Sequence, residues 1–446
     1  MLQHIVSISV LGLMFVIATV LPVNMGALAF VGAFLVGTLL GAMPAKSILA
    51  GFPADLFLTL VGITYLFAVA QNNGTIDWLV RQAVRAVGGR IAAIPWIMFG
   101  IAAVLTSVGA VSPAAVAIIA PIALGFAAKY NINPLMMGLM VVHGAQGGGF
   151  SPISIYGGIT NKIVEKAGLP LNEMATAFAS LGVNLLVALG LFVALGGMRL
   201  LRAPALPRTV AAGPGVAAID PPFQARVATA GMADPLGPSA TAARAEAEQP
   251  GTPYQYLTVL GLVALAVLTL YFKLDIGFVS LSIAVLLTLV SPNLQKAALT
   301  QVSWPEIMLI VGVSTYVGVM EKMGTIAFVG HSVAGLASPL MAALLLCFVG
   351  AVVSAFASST AVLGSLIPLA VPFLQQGSDV SAIGFIAAMA VSSTIVDVSP
   401  FSTNGALVLA NAQGVDRHAF FRKLMVYGAL VTIVAPVVLW FAFVVV

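Results

Sequence analysis

The sequence predicts an all-α polytopic membrane protein made of two inverted-topology repeats. Each repeat has about five transmembrane helices plus one re-entrant hairpin, with broken helices at the bilayer midplane. Three observations predict this. Of 446 residues, 61% are hydrophobic and only 7% charged, against roughly 25% charged in an ordinary soluble domain. Apolar runs of about 18 to 25 residues, each able to cross a hydrocarbon core about 30 Å thick, recur along nearly the whole chain. The polar interruptions of the first half return in the second, in the same order and at nearly the same spacing. The short alternating segments of a membrane β-barrel are not found in the sequence.

The first repeat occupies 1–202, with apolar segments at 5–21, 26–43, 55–70, 92–128, 134–160 and 174–198. No Lys or Arg precedes Lys46 and no small-residue cleavage site is evident, so the first segment is expected to be a retained span. The stretch TIDWLVRQAVRAVGGR sets Trp78 and Leu79 against Arg81 and Arg85, as in a short amphipathic helix lying in the interface. Segment 92–128 is too long for one crossing and is split by small polar residues, which predicts a hairpin; 134–160 is expected to be a broken helix. Residues 203–252, rich in Ala, Pro and Gly and without useful helical periodicity, are expected to form an exposed flexible linker. The second repeat, 253–446, has segments at 254–271, 276–292, 306–320, 334–374 (a hairpin), 382–412 (a broken helix) and 424–446. The single cysteine, Cys347, lies within an apolar run, which excludes an internal disulfide framework or thiolate cluster and makes it a packing residue.

The duplication is visible in matched motifs. Asn24-Met25-Gly26 returns as Asp275-Ile276-Gly277, and Gly74-Thr75-Ile76 as Gly324-Thr325-Ile326 at an offset of 250. Ser112-Pro113-Ala114 with Pro121 matches Ser359-Thr360-Ala361 with Pro368, at an offset of 247. Ser151-Pro152-Ile153-Ser154 with Gly157 matches Ser399-Pro400-Phe401-Ser402 with Gly405, at 248. Five crossings and a hairpin per half return the chain to the opposite face, inverting the second repeat. Under that topology one face carries Arg81, Arg85, Arg90, Lys129, Arg199, Arg202, Lys296, Arg417, Arg422, Lys423 and the linker arginines; the other carries only Lys46, Lys162, Lys166, Lys273 and Lys322. The first face, with the linker, is therefore expected to be cytoplasmic. The net charge of +4 carries no nucleic-acid reading.

Four polar interruptions fall at membrane depth: Val111-Ser112-Pro113, 147–161, Ser358-Ser359-Thr360 and 397–404. Backbone that leaves helical bonding there must be buried in protein or line a wet cavity, since each unpaired group costs several kcal/mol. Half-helix N-termini attract carboxylates, while unwound carbonyls and hydroxyls coordinate a small cation, so one architecture can bind both. Close helix packing by small residues is the structural alternative at each break. Candidate solute ligands are Ser112, Ser151, Ser154, Asn161, Ser359, Thr360, Ser402, Thr403 and Asn404; candidate Na⁺ ligands are Ser112, Gly149, Ser151, Ser359, Asp397 and Ser399. Asp397 is the one acid deep within an apolar segment; it either meets a cation or proton or orders the broken helix. His143 reads as a buried structural histidine, and Asn161 and Asn404 are either ligands or helix caps. Because no Arg or Lys lies well inside a span, an anionic cargo would lean on dipoles, hydroxyls, amides and co-bound cations.

At these elements the sequence resembles the MatC-type dicarboxylate (malonate) carriers of the ion transporter superfamily, which includes the divalent anion–sodium symporters. The resemblance rests on Leu21 to Gly62, on GAQGGGFSPISIYGGITN at 144–161 and on SSTIVDVSPFSTNGALVLAN at 392–411. It implies paired hairpins with Ser-Asn-Thr tips and broken helices that hold the substrate carboxylates and Na⁺. It also implies a transport domain moving against a dimeric scaffold. Here the tips depart from that pattern, as Val111-Ser112-Pro113 and Ser358-Ser359-Thr360.

The expectation is therefore a homodimeric inner-membrane carrier with no catalytic residues, moving malonate or a C4 dicarboxylate with Na⁺, with H⁺ through Asp397 as the other coupling. An H⁺-coupled carrier of another anion, or a Na⁺/H⁺ antiporter, keeps the fold and changes the cargo. An intramembrane hydrolase pairing a serine with His143 lacks both a G-x-S-G element and two membrane aspartates. A channel would pass current far above carrier rates.

Overall fold

The computed structural model describes residues 1–21, 23–86, 90–202, 251–329, 338–355, 359–375, 380–412 and 415–445. Residues 203–250 of the expected linker, and Ser358 of the second tip, lie outside them. Among the described residues the regular structure is all helical. In the first half run α1 (Leu2–Val20), α2 (Met25–Leu39), α3 (Ala45–Leu49), α4 (Ala54–Asn72), α5 (Thr75–Ala86), α6 (Ile94–Ser107), α7 (Ser112–Tyr130), α8 (Pro134–Gly148), α9 (Ile155–Lys166), α10 (Glu173–Ala194) and α11 (Gly197–Leu201). In the second half run α12 (Pro253–Leu270), α13 (Ile276–Val290), α14 (Gln295–Gln301), α15 (Trp304–Lys322), α16 (Pro339–Ser354), α17 (Ser359–Gln375), α18 (Ala382–Ile395), α19 (Thr403–Asn411) and α20 (Arg417–Trp440).

Five described helices are long and apolar enough to cross a bilayer: Ala54–Asn72, Ser112–Tyr130, Glu173–Ala194, Pro253–Leu270 and Arg417–Val445. Shorter apolar helices accompany them, and α13 turns through 117° into the segment 292–301. Large side chains such as Phe178, Leu186 and Val193 on α10 and Val426, Leu430 and Ile433 on α20 are exposed. Outward-facing apolar surface on this scale is what a lipid environment requires of a helix. By contrast α8 and α18 are buried along almost their whole length and on every side. They form the centre of the molecule.

Sequence correspondence between the halves extends to packing. The Asn24 side chain accepts the backbone N–H groups of Gly26 and Ala27 at 2.9 and 3.2 Å, capping α2; Asp275 does the same for Gly277 and Phe278 at 2.9 and 3.1 Å, capping α13. Satisfying two free N–H groups in this way fixes where each helix starts. Each capped helix then packs on the other half: α2 on α15, and α13 on α4. At the first crossing a Cβ on Gly26 would stand 1.9 Å from the Met308 carbonyl oxygen; at the second, one on Gly62 would stand 2.6 Å from that of Gly277. Backbones touch at both places.

The expected hairpins are helix pairs. α6 and α7 are joined through 108–111, where Gly109 takes φ +119, and α16 precedes α17 in the second half. α5 forms where the amphipathic stretch predicted a helix and packs on α4, α6 and α12. One boundary moves. α9 continues to Lys166, so Asn161 sits inside a helix and caps nothing. Cys347 is fully buried, as a packing residue should be.

Candidate functional site

The broken helices part at 149–154, between α8 and α9, and at 396–402, between α18 and α19. Equivalent serines close both gaps. Ser151 Oγ donates to the carbonyl of Ser107 at the end of α6, and Ser399 Oγ donates to the carbonyl of Ala355 at 2.8 Å, just past α16. Ser154 caps α9 and donates to Ser151 and Gly149 carbonyls; Ser402 caps α19 and donates to that of Ser399 at 2.8 Å. Each break is thereby tied to the hairpin of its own half. A Cβ on Gly157 or Gly405 would fall 2.0 or 1.9 Å from the Ser151 or Ser399 carbonyl oxygen, so only glycine fits there.

Two side chains after the breaks cross toward the hairpin tips, and they occupy equivalent positions at the 248-residue offset, Tyr156 and Asn404. Asn404 Nδ2 donates to Ser112 Oγ of the first tip at 2.8 Å and to Asp397 Oδ2 at 2.9 Å. The Tyr156 side chain interacts with Ser112 and with Ser359 of the second tip. Asp397 also accepts the Asn404 backbone N–H at 3.2 Å and Gln146 Nε2 at 3.2 Å. The carboxylate thus orders the start of α19 and joins the two breaks, and it faces three N–H donors. Because those amides must present nitrogen to the carboxylate, their oxygens point elsewhere. Gln146 Oε1 and Asn404 Oδ1 are both buried with no hydrogen-bond partner. A cation or a donor-bearing ligand is what such oxygens lack.

Beside this cluster lies a cavity of about 180 Å³. Its walls include Ser359, Thr360, Asp397 and Thr403 among the sequence candidates, with Tyr156 and Glu306 added by the structure. Among the described residues no Lys, Arg or His lines it. Ser112 and Asn404 are buried beside it, while Ser151, Ser154, Ser399 and Ser402 donate their protons to backbone carbonyls. The Gly149 carbonyl receives Ser154 Oγ and the Gly157 N–H. Asn161 is buried but is not part of the cavity wall. His143 is bonded through Nδ1 to Asn184 Oδ1 at 2.8 Å and through Nε2 to the Tyr427 hydroxyl at 2.6 Å, so neither ring nitrogen faces a serine.

Sequence reasoning passed over Gln146, Tyr156 and Glu306. Tyr156 could have been found by applying the repeat offset to Asn404. Gln146 stands one turn before a break in an otherwise apolar helix, a position where a buried amide needs a partner. Glu306 sat at the edge of an apolar segment and resembled a solvated terminus.

Residues 1–149 match the family model described as dicarboxylate carrier protein MatC N-terminus, and residues 263–445 match that of the citrate transporter family. Both are families of transporters, and the resemblance drawn from the motifs is borne out; the chain is a transport protein, not an enzyme. Among solved structures it is similar to MtrF of Neisseria gonorrhoeae, described with a class of antimetabolite efflux pumps, at 14% identity over 92% of this chain and 85% of that one, with a TM-score of 0.57. It is also similar to the YdaH transporter of Alcanivorax borkumensis, at 14% identity over 88% and 86% of the two chains, with a TM-score of 0.56. At that identity the likeness is one of fold. No curated protein sequence matches the chain.

Proposed function

We propose that this chain, with its MatC-type amino-terminal region and its citrate-transporter-type second half, is a cation-coupled secondary carrier of small dicarboxylates such as malonate or C4 acids. The observation that carries the reading is the convergence of both tips, the second break and the first turn of α9 on one cavity, with Asn404 reaching Ser112 and Tyr156 reaching Ser112 and Ser359. The cargo carboxylate would lie against Ser359, Thr360 and Thr403, near the N-termini of α17 and α19. Na⁺ would be held by oxygens around Asp397, where the unpartnered Gln146 and Asn404 oxygens fit a hard cation. We place the protein as a homodimer in a bacterial inner membrane with 203–252 cytoplasmic. The two halves are inverted, the hairpins are re-entrant, and the hairpins and broken helices move as an elevator against α1–α4 and α12–α15.

One observation favours the alternative of H⁺ coupling or Na⁺/H⁺ exchange. Among the described residues the cavity wall holds two acids, Asp397 and Glu306, and no base. Uptake of labelled malonate and succinate into proteoliposomes separates these readings. An inward Na⁺ gradient should stimulate uptake, whereas stimulation by a pH gradient alone points to proton coupling. Na⁺ efflux driven by protons without any acid present would replace the dicarboxylate reading with antiport.

A further inference from the structure

The two acids of the cavity differ in how they are compensated. Asp397 accepts three N–H donors supplied by Gln146 and Asn404. Glu306, in the first turn of α15, lines the cavity without a cationic partner: among the described residues the ion pairs are Lys162–Asp55 and Lys166–Glu321. Asn24, its polar neighbour in the wall, is turned away from the cavity's needs. Its Nδ2 donates to the Pro305 carbonyl at 2.9 Å and its Oδ1 receives the Gly26 and Ala27 N–H groups. Of the two acids in the cavity wall, Glu306 is therefore the one to which the protein supplies no donor beyond its own backbone N–H.

A cargo with a carboxylate at each end would set one of them against Glu306 in a poorly solvated space, and like charges so placed cost several kcal/mol. A cargo with an O–H or N–H donor at that end would instead make a charge-assisted hydrogen bond. We infer that Glu306 is a specificity-determining residue, which restricts the cargo to monoanions carrying a carboxylate toward the hairpin tips and a donor toward α15. A dicarboxylate is then taken in its singly protonated form. The inference rests on the carrier reading given above and narrows its substrate class.

The test compares malonate with its half-amide, malonamate, at about pH 8, where free carboxyls are ionised. Purified protein in Na⁺ buffer is titrated with each acid, followed by thermal stabilisation and by uptake of the labelled compounds into proteoliposomes. The wild type should be half-saturated by malonamate at a concentration at least about a hundredfold lower than by malonate. Glu306→Gln should erase or reverse that ratio, and Glu306→Asp, which keeps the charge, should retain it. Preference of the wild type for malonate, or an unchanged ratio in a folded and active Glu306→Gln protein, overturns the inference and leaves the carrier reading standing. A wild type that responds to neither acid overturns both.

Discussion

Asp397 shows how a single buried acid can be both a structural clamp and part of a cavity wall. Changing it to Asn places an amide N–H against at least one of the donors from Gln146 and Asn404. An unmade buried bond of this kind costs about 1–3 kcal/mol. Asp397→Asn should therefore lower the melting temperature of the detergent-solubilised protein and abolish uptake. The glycines after the breaks make a sharper contrast. Gly157→Ala and Gly405→Ala would push a methyl into a carbonyl oxygen 2.0 or 1.9 Å away, whereas Gly158→Ala meets nothing within 4 Å. Thermal unfolding should show the first two strongly destabilised and the third close to wild type. At this scale the polar candidates in apolar runs were legible because burying them demands a reason. Tyr156 was not, since an aromatic ring in a membrane helix reads as packing until its hydroxyl is seen to reach two tips.

The breaks are held by a repeated device, a serine hydroxyl donated to the carbonyl at the end of the preceding hairpin's first arm. Removing either bond, in Ser151→Ala or Ser399→Ala, should cost about 1 kcal/mol in stability. The larger effect should be on transport, because the tip and the break lose their common register. If the two halves share the work, uptake falls in both variants; a normal rate in either one assigns that serine to packing. Element by element, the two breaks were legible through the matched spacing of Ser-Pro and Gly. The end of α9 was not, because Lys162 and Lys166 looked like a terminus. In the folded chain Lys162 pairs with Asp55 at 3.2 Å and Lys166 with Glu321 at 3.8 Å, which lets a charged last turn stay helical against α4 and α15.

For the molecule as a whole, the apolar runs made the membrane class legible, while which helices neighbour one another was not. Nothing in the sequence said that α2 would lie on α15 and α13 on α4, because contacts between distant segments leave no local pattern. The inversion proposed for the two halves makes its own prediction. In a Cys347→Ser background, a membrane-impermeant maleimide should label Lys166→Cys from outside intact cells, and Arg199→Cys only after permeabilisation. Labelling of both from one side contradicts the inversion. Cys347 is fully buried, so the background change should itself be mild.

Where Gly26 meets Met308 and Gly62 meets Gly277, main chain rests directly on main chain. Little more than the Ser280 hydroxyl, beside Gly62, intrudes where these four helices meet, so they cannot slide past one another without tearing the fit. They form a stiff bracket, and any stroke the protein makes must be taken up elsewhere. A bulky residue wedged in at 26 or 62 should jam assembly of the bracket long before it touches the cargo.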